Sequence, residues 1–317
     1  MQKRWKWWVG LLLSLTLLLA GCGAAKTADN TAASTSSSAQ GSAKAAVQTS
    51  VPQGTISIKM LDVGQGDAIL IQTQEQTVLI DTSDVDERDK LRAQLAKAGV
   101  KKIDKVILTH PHADHIGGME VLLDGSYEIG SIYDNGMPST SKLYLSYMKK
   151  AKARGIPHHA LKAGDVLDFG GGAQFKVLSP EESLVQKGQQ KGYKHDPNNE
   201  SVVGRLTFGQ FAMLFTGDAE KEAEASIAAR YGSELKSQVL KAPHHGSKTS
   251  SSAAYLRLVQ PETCVISCGA GNDYGHPHKE TLKKYAAIHA KTYETDKNGT
   301  ITITSDGKSY EVKEEKS

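Results

Sequence analysis

Apolar and polar residues alternate through TISIKMLDVG, from Thr55 to Gly64. The next two runs, DAILIQT and TVLIDT, are short, β-branched and cut by turn residues. A period of two over such lengths predicts strands. The period then lengthens: Leu91 and Leu95 share one face of a helix predicted over Asp86–Ala98, which Gly99 ends. KVILTH reads as a buried strand, residues 142–154 as a helix, and LDFGGGAQFKVLSP as a hairpin. SVVGRLTFG and QFAMLFTGD predict a strand pair, followed by a helix over Lys221–Tyr231. QVLKAPHH and TCVISCG are further strands, and Lys279–His289 a helix. The tail TDKNGTITITSDGKSYEV reads as a hairpin closed by Ser305-Asp306-Gly307. Blocks of strands with helices between them, without repeats, predict one α/β domain over residues 55–317, with sheets inside and helices outside.

The pattern ahead of that domain is different. MQKRWKWWVG is cationic and LLLSLTLLLA apolar, and small residues follow. The apolar run is too short to span a bilayer, so residues 1–21 read as a secretory signal. Leu19-Ala20-Gly21-Cys22 resembles the bacterial lipobox, in which the cysteine is lipidated and becomes the mature N-terminus. Residues 22–54 then carry the lipidated Cys22 and an Ala/Ser/Thr-rich stalk with almost nothing large to bury. The expected location is outside the cell membrane, held there by lipid.

This division changes the meaning of the charge. The formal net charge is +3, and residues 1–21 carry Lys3, Arg4 and Lys6 with no acid, so the mature chain is neutral. No global positive field argues for nucleic acid. Cys264 and Cys268 lie four positions apart in a predicted strand, about 13 Å at roughly 3.3 Å per residue, too far for a disulfide. They read as small buried hydrophobes.

The chemistry is concentrated in THPHADHIGG, residues 109–118. His110, His112, Asp114 and His115 occupy six positions of a loop between a strand and a helix start. Imidazole and carboxylate are the usual ligands of zinc and its neighbours. His110 and His112 can grip one ion, while Asp114 and His115 turn toward a second. Asp218, ending a strand in TGD, is placed to bridge two cations. His244 or His245 could supply the last ligand; the other, with Lys241 and Ser247, would face substrate. Asp67, in a tight glycine turn, could buttress the loop, although turn chemistry alone explains it equally well.

The combination resembles the metallo-β-lactamase superfold, an αββα sandwich of hydrolases and nucleases. LIDT, THPHADHIGG, FTGD and PHHGS occur in that family's order. MLDVGQGDAILI, PNNESVV and GNDYGHPH are similar to one branch, the hydrolase domain of the DNA-uptake channel protein ComEC and its stand-alone relatives. The resemblance implies that Asp81 orients the histidine loop, and that Asn199 and Ser201 line the site. It also places Asn272 and His276 at the rim, His276 contacting a phosphate or protonating a leaving group. Where the general family has a third-motif histidine, this chain reads HDPNNESVV. His195 or Asn199 could take that place, and a nitrogen-poor first site would favour manganese over zinc.

The expected protein is therefore an extracytoplasmic, membrane-anchored hydrolase with two divalent ions, zinc or manganese. It would use a metal-activated water oriented by Asp114, with Lys241, His245 and His276 offsetting developing charge. The resemblance implies DNA or another phosphodiester as substrate. A hydrolase of phosphocholine-type esters, lipids or lactams, or a non-catalytic binding module, remains open. Nothing in the sequence marks a protein partner.

Overall fold

The structure is a computed structural model that describes residues 52–316. The signal segment 1–21, Cys22 and the stalk up to residue 51 lie outside the described residues. Among the described residues, no helix is long and apolar enough to cross a membrane.

Strands β1 (Ile56–Met60), β2 (Ile69–Gln72), β3 (Thr77–Ile80), β4 (Lys102–Ile107), β5 (Glu128–Asp134) and β6 (His158–Ala160) lie side by side in chain order. β1 to β3 pair antiparallel and β3 to β6 parallel. The second sheet begins with β7 (Val166–Gly170), β8 (Ala173–Ser179), β9 (Val203–Phe208) and β10 (Phe211–Phe215), all antiparallel. It continues in parallel through β11 (Val239–Lys241), β12 (Thr263–Ile266) and β13 (Lys291–Glu294). The chain then returns to the first sheet with β14 (Ile301–Ser305), antiparallel to β1, and β15 (Tyr310–Glu314) on its outer side.

Alternation explains the layering. Ile56, Ile58 and Met60 are fully buried while the residues between them are only partly so. They join Ile71, Val78 and Ile107 against Phe175, Leu206, Met213 and Phe215 of the second sheet, forming the central core. On the outer face of the first sheet, Leu79, Val106 and Ile132 pack against Leu91 and Leu95 of the Arg88–Lys97 helix and Tyr147 of the Lys142–Ala153 helix. The second sheet's outer face meets Ile227, Leu256 and Tyr285 from the Lys221–Tyr231, Ala253–Val259 and Lys279–Ala287 helices. Helix, sheet, sheet, helix is the αββα sandwich that the sequence resemblance implies.

The topology also fixes where chemistry can occur. Asp81 follows β3, Thr109 and His110 lie just past β4, Asp218 lies past β10, His244 and His245 past β11, and Ser267 follows β12. Both sheets thus present the carboxyl ends of parallel neighbours at one edge of the sandwich, a usual place for α/β sites.

Some elements differ from the pattern reading. β5, β6 and β13 were not anticipated; β6 has three residues and β13 four, too short for a period to show. The first helix opens with a tight turn over Val85–Glu87 before the α-helix at Arg88. The Lys279 helix ends at Ala287, two residues short of the expected end at His289, which has φ of 59°. Thr295–Asn298 forms a helical turn, so the terminal hairpin starts later than expected. Cys264 and Cys268 are free and buried, Cys268 lying beyond the end of β12.

Candidate metal centre

Asp81 organises the histidine loop. The chain leaves β3 with φ of 59° at this residue, which turns the carboxylate under the loop after β4. There it accepts from the Thr109 amide at 2.8 Å and the Thr109 hydroxyl at 2.7 Å. His115 Nδ1 lies 2.8 Å from Oδ2 of the same carboxylate. With Nδ1 committed, His115 must present Nε2 to the centre. Glycine is required just beyond: a Cβ on Gly118 would lie 2.0 Å from the Thr82 carbonyl oxygen. That close approach seats the short Ala113–Ile116 helix against the end of β3.

The second sheet supplies the opposite wall. Asp218 is buried, and its amide donates to the Ser201 hydroxyl at 3.2 Å. After β11 the backbone takes positive φ at both His244 (48°) and His245 (50°), sending the adjacent rings to different places. His245 is buried, and its Nδ1 donates to the Ser267 carbonyl at 2.9 Å, so its Nε2 also faces the centre. His244 sits at the rim with Nδ1 3.0 Å from Glu220.

Two groups of donors meet at Asp218. His115 Nε2 lies 3.3 Å from Asp218 Oδ2, and His245 Nε2 lies 3.5 Å from Oδ1 and 3.2 Å from Asp114 Oδ2. Atoms from these four residues lie within 4.8 Å of one another. On the other side His110 Nε2 is 2.9 Å from His112 Nδ1 and 3.9 Å from Asp218 Oδ2. His244 Nε2 approaches the same oxygen at 3.7 Å.

The donor set fits divalent metal. His115 Nε2, His245 Nε2 and Asp218 Oδ1 are buried without a hydrogen-bond partner, a cost that native interiors rarely leave uncompensated. The electrostatics agree. Burial opposes a charge on His245, yet Asp218 and Asp114 push its pKa up to about 10. Burial likewise opposes a charge on His115, and Asp218, Asp81 and Asp114 raise it well above the ordinary value. Burial would raise Asp218, but His115 and His245 hold it well below the usual carboxylate range. The cavity is built around positive charge. His110 contrasts: burial first, then His115, hold its pKa well below the ordinary value.

A sequence model of the metallo-beta-lactamase superfamily matches residues 61–270, which include every one of these donors. The chain belongs to this superfamily. Its members are in general metal-dependent hydrolases.

Within the superfamily, the chain is 34% identical to ComE operon protein 3 of Bacillus subtilis, over 77% of this chain and 32% of that protein. It is 33% identical to competence protein ComA of Neisseria gonorrhoeae, over 80% of this chain and 33% of that protein. The chain thus spans about a third of the length of these curated relatives. Among solved structures, the metallo-beta-lactamase fold protein YhfI from Bacillus subtilis aligns at 13% identity and a TM-score of 0.47, covering 76% of this chain and 95% of that one.

Several expected site residues take other places in this metallo-beta-lactamase fold. Lys241 is fully buried with Nζ 2.5 Å from Asp67 Oδ2, so it neutralises a carboxylate beneath the centre and does not face substrate. Asp67 buttresses the loop as its turn position allowed, its amide donating to the Asp114 carbonyl at 3.1 Å. Asn199 does not line the metal pocket: its Oδ1 accepts from the Glu220 and Ala223 amides and caps the Lys221–Tyr231 helix. Its neighbour Asn198 lines the pocket, with Oδ1 buried and lacking a hydrogen-bond partner. Ser201 is within reach, its hydroxyl 3.3 Å from His110 Nδ1.

His195 pairs with Glu200 at 3.0 Å and lines a different hollow, so neither it nor Asn199 joins His110 and His112. Ser247 is buried and spends its hydroxyl on Thr249, 2.9 Å away. Asn272 closes the rim loop, donating to the Gly269 and His276 carbonyls and accepting from the His276 amide. It therefore positions His276 without facing the pocket. His276 does line the pocket, but burial and then His245, His244 and His278 push its pKa down to about 4.

Sequence reasoning missed Asn198, Gln65, Asp84 and Tyr274 in the pocket wall, and Glu220 behind His244. For Glu220 a signal existed in TGDAE, an acid two positions after Asp218. The others had none beyond their neighbours.

Proposed function

We propose that this chain is a phosphodiesterase that cleaves DNA or another phosphodiester with the help of two divalent ions, zinc or manganese. The observation that carries the reading is the convergence of six nitrogen and oxygen donors on two sides of one buried carboxylate, Asp218. Metal bound there would supply an activated water and a Lewis acid for the phosphoryl group. The chain's own residues do the rest. Asp81 and the Ser267 carbonyl hold the His115 and His245 rings in the tautomer that presents Nε2. Asp114 lies at the open side of the centre, where it can orient a water. Asn198 and His276, which line the pocket, offer hydrogen-bonding groups to a phosphoryl oxygen. The pocket holds about 340 Å³ and is open to solvent.

The substrate class draws support from the relatives. Proteins similar to most of this chain carry the names competence protein and recombination protein 2, the latter from Haemophilus influenzae at 28% identity. The signal-like residues 1–21 and the lipobox-like cysteine Cys22 support a location outside the cell membrane on a lipid anchor. The deciding experiment strips the mature protein of metal and re-supplies zinc or manganese. Hydrolysis of bis-p-nitrophenyl phosphate and of single- and double-stranded DNA is then compared with Asp114→Ala and His112→Ala. Metal-dependent cleavage lost in both variants supports the reading. No turnover despite bound metal sinks it and turns the search to acyl esters, lipids and lactams.

A further inference from the structure

His195 is one of the residues that the sequence singles out and the metal centre leaves unused. It lines a hollow of about 310 Å³ together with Pro111, Met137, Pro138, Pro197 and Glu200. This hollow abuts the metal pocket along two stretches of chain. Pro111 and Pro197 line the hollow, while the next residues, His112 and Asn198, line the metal pocket. A molecule with its phosphate at the metals therefore has this hollow beside it.

The hollow contains a built polar feature. Glu200 is only 2% exposed. Its carboxylate accepts from the Asp196 amide at 3.1 Å and lies 3.0 Å from His195 Nδ1, and Asn135 donates to its main-chain carbonyl at 3.0 Å. Tyr193 stands against the ring, with centroids 4.9 Å apart. Burying a carboxylate is costly unless its partners are fixed, so Glu200 locks the imidazole in place. With Nδ1 committed, the Nε2 edge of a partly exposed ring is left for a ligand. Around it the lining is largely apolar, from three prolines and Met137, with exposed Thr140 also in the wall.

We propose that this hollow is the subsite for the nucleoside attached to the scissile phosphate. The base lies against the proline and methionine surfaces, and His195 Nε2 hydrogen-bonds to its polar edge or to the sugar. The assignment rests on the phosphodiesterase reading. A lipid chain would have no use for the locked imidazole, whereas a planar group with polar edges matches both kinds of surface. The volume lies at the lower end of the roughly 300–1,000 Å³ usual for small-ligand sites.

The test uses two chromogenic diesters with the same leaving group, thymidine 5′-(p-nitrophenyl phosphate) and methyl p-nitrophenyl phosphate, on the metal-loaded protein. The wild type favours the nucleoside ester. In His195→Ala that preference, the ratio of the two kcat/KM values, falls about tenfold, the size of one well-placed hydrogen bond. Thr140→Trp, which fills the hollow from an exposed loop, lowers the same ratio without touching the His195–Glu200 pair. An unchanged ratio in both variants overturns the subsite while the phosphodiesterase reading stands. Failure of the wild type to hydrolyse either diester sinks that reading, and the subsite falls with it.

Discussion

The first sheet carries its donors on one turn, whereas the second spreads them over separate loops. After β4, four donors sit between His110 and His115, and a single carboxylate, Asp81, holds both the loop's start at Thr109 and its end at His115. The second sheet offers Asp218 after β10 and the histidine pair after β11, each held by its own contacts to Ser201, Ser267 or Glu220. A donor set on one turn moves as a unit. A set assembled from loops depends on the register between strands, here Met213 beside Val239 and Leu214 beside Leu240. Asp218 joins the halves, since imidazoles from both sheets approach its two oxygens.

The largest expected effect breaks that junction. Asp218→Ala removes the carboxylate shared by both donor groups, and should lower kcat/KM on a phosphodiester by at least about 10³-fold and abolish binding of both ions. His112→Ala touches one group only, so elemental analysis of that variant should find close to one ion per chain. Equal metal content in the two variants would mean that Asp218 is not shared.

The second test separates two adjacent residues. His245, buried and fixed by Ser267, belongs to the group containing Asp114 and His115; His244 sits at the rim against Glu220. His245→Ala should cost about 10²-fold or more in metal affinity, and His244→Ala about tenfold. A reversed order would show that the metal-loaded loop differs from the backbone seen here.

This pair also shows what a sequence can and cannot display. HPHADH is legible because six consecutive residues must share one turn, so spacing alone implies convergence. The αββα order is legible because alternating strands and periodic helices stand in blocks. In PHHGS spacing is silent: both histidines have the same neighbours, and only the positive φ at each decides which ring goes inward. Lys241 looked like a substrate contact because it precedes that motif, but its strand position points it inward to Asp67. In PNNES the two asparagines are likewise indistinguishable until a helix arrives from elsewhere to be capped.

That capping gives a smaller and cleaner test on the second-sheet side. Asn199→Ala removes the acceptor for the Glu220 and Ala223 amides and should lower stability by about 1 kcal/mol, with kcat/KM of the folded protein little changed. Asn198→Ala should do the opposite, reducing kcat/KM several-fold with little change in denaturant midpoint. If Asn199→Ala lowers activity more than stability, the family-based placement of Asn199 in the site is restored.

The smallest effect lies on the first-sheet side, away from the donor cluster, and tests whether that half owes its rigidity to the loop alone. Asp134, at the end of β5, accepts from the Tyr147 hydroxyl at 3.1 Å and lies 2.8 Å from His158 Nε2 on β6. The hydrogen bond to Asp134 raises the His158 pKa above its ordinary 6.5, outweighing burial. A raised value in the folded state means that protonated His158 stabilises the fold. Its contribution is complete below pH 6.5 and is lost as pH rises through the folded value. His158→Gln should therefore cost about 1 kcal/mol at pH 5.5 and close to nothing at pH 9, measured by urea unfolding of both proteins in the same buffers. Because both proteins carry the same donor cluster, any acid loss of metal cancels in the difference, and what remains belongs to the β5–β6 edge. A cost independent of pH would mean that His158 acts by packing, and that the charge on its ring contributes nothing to holding that edge.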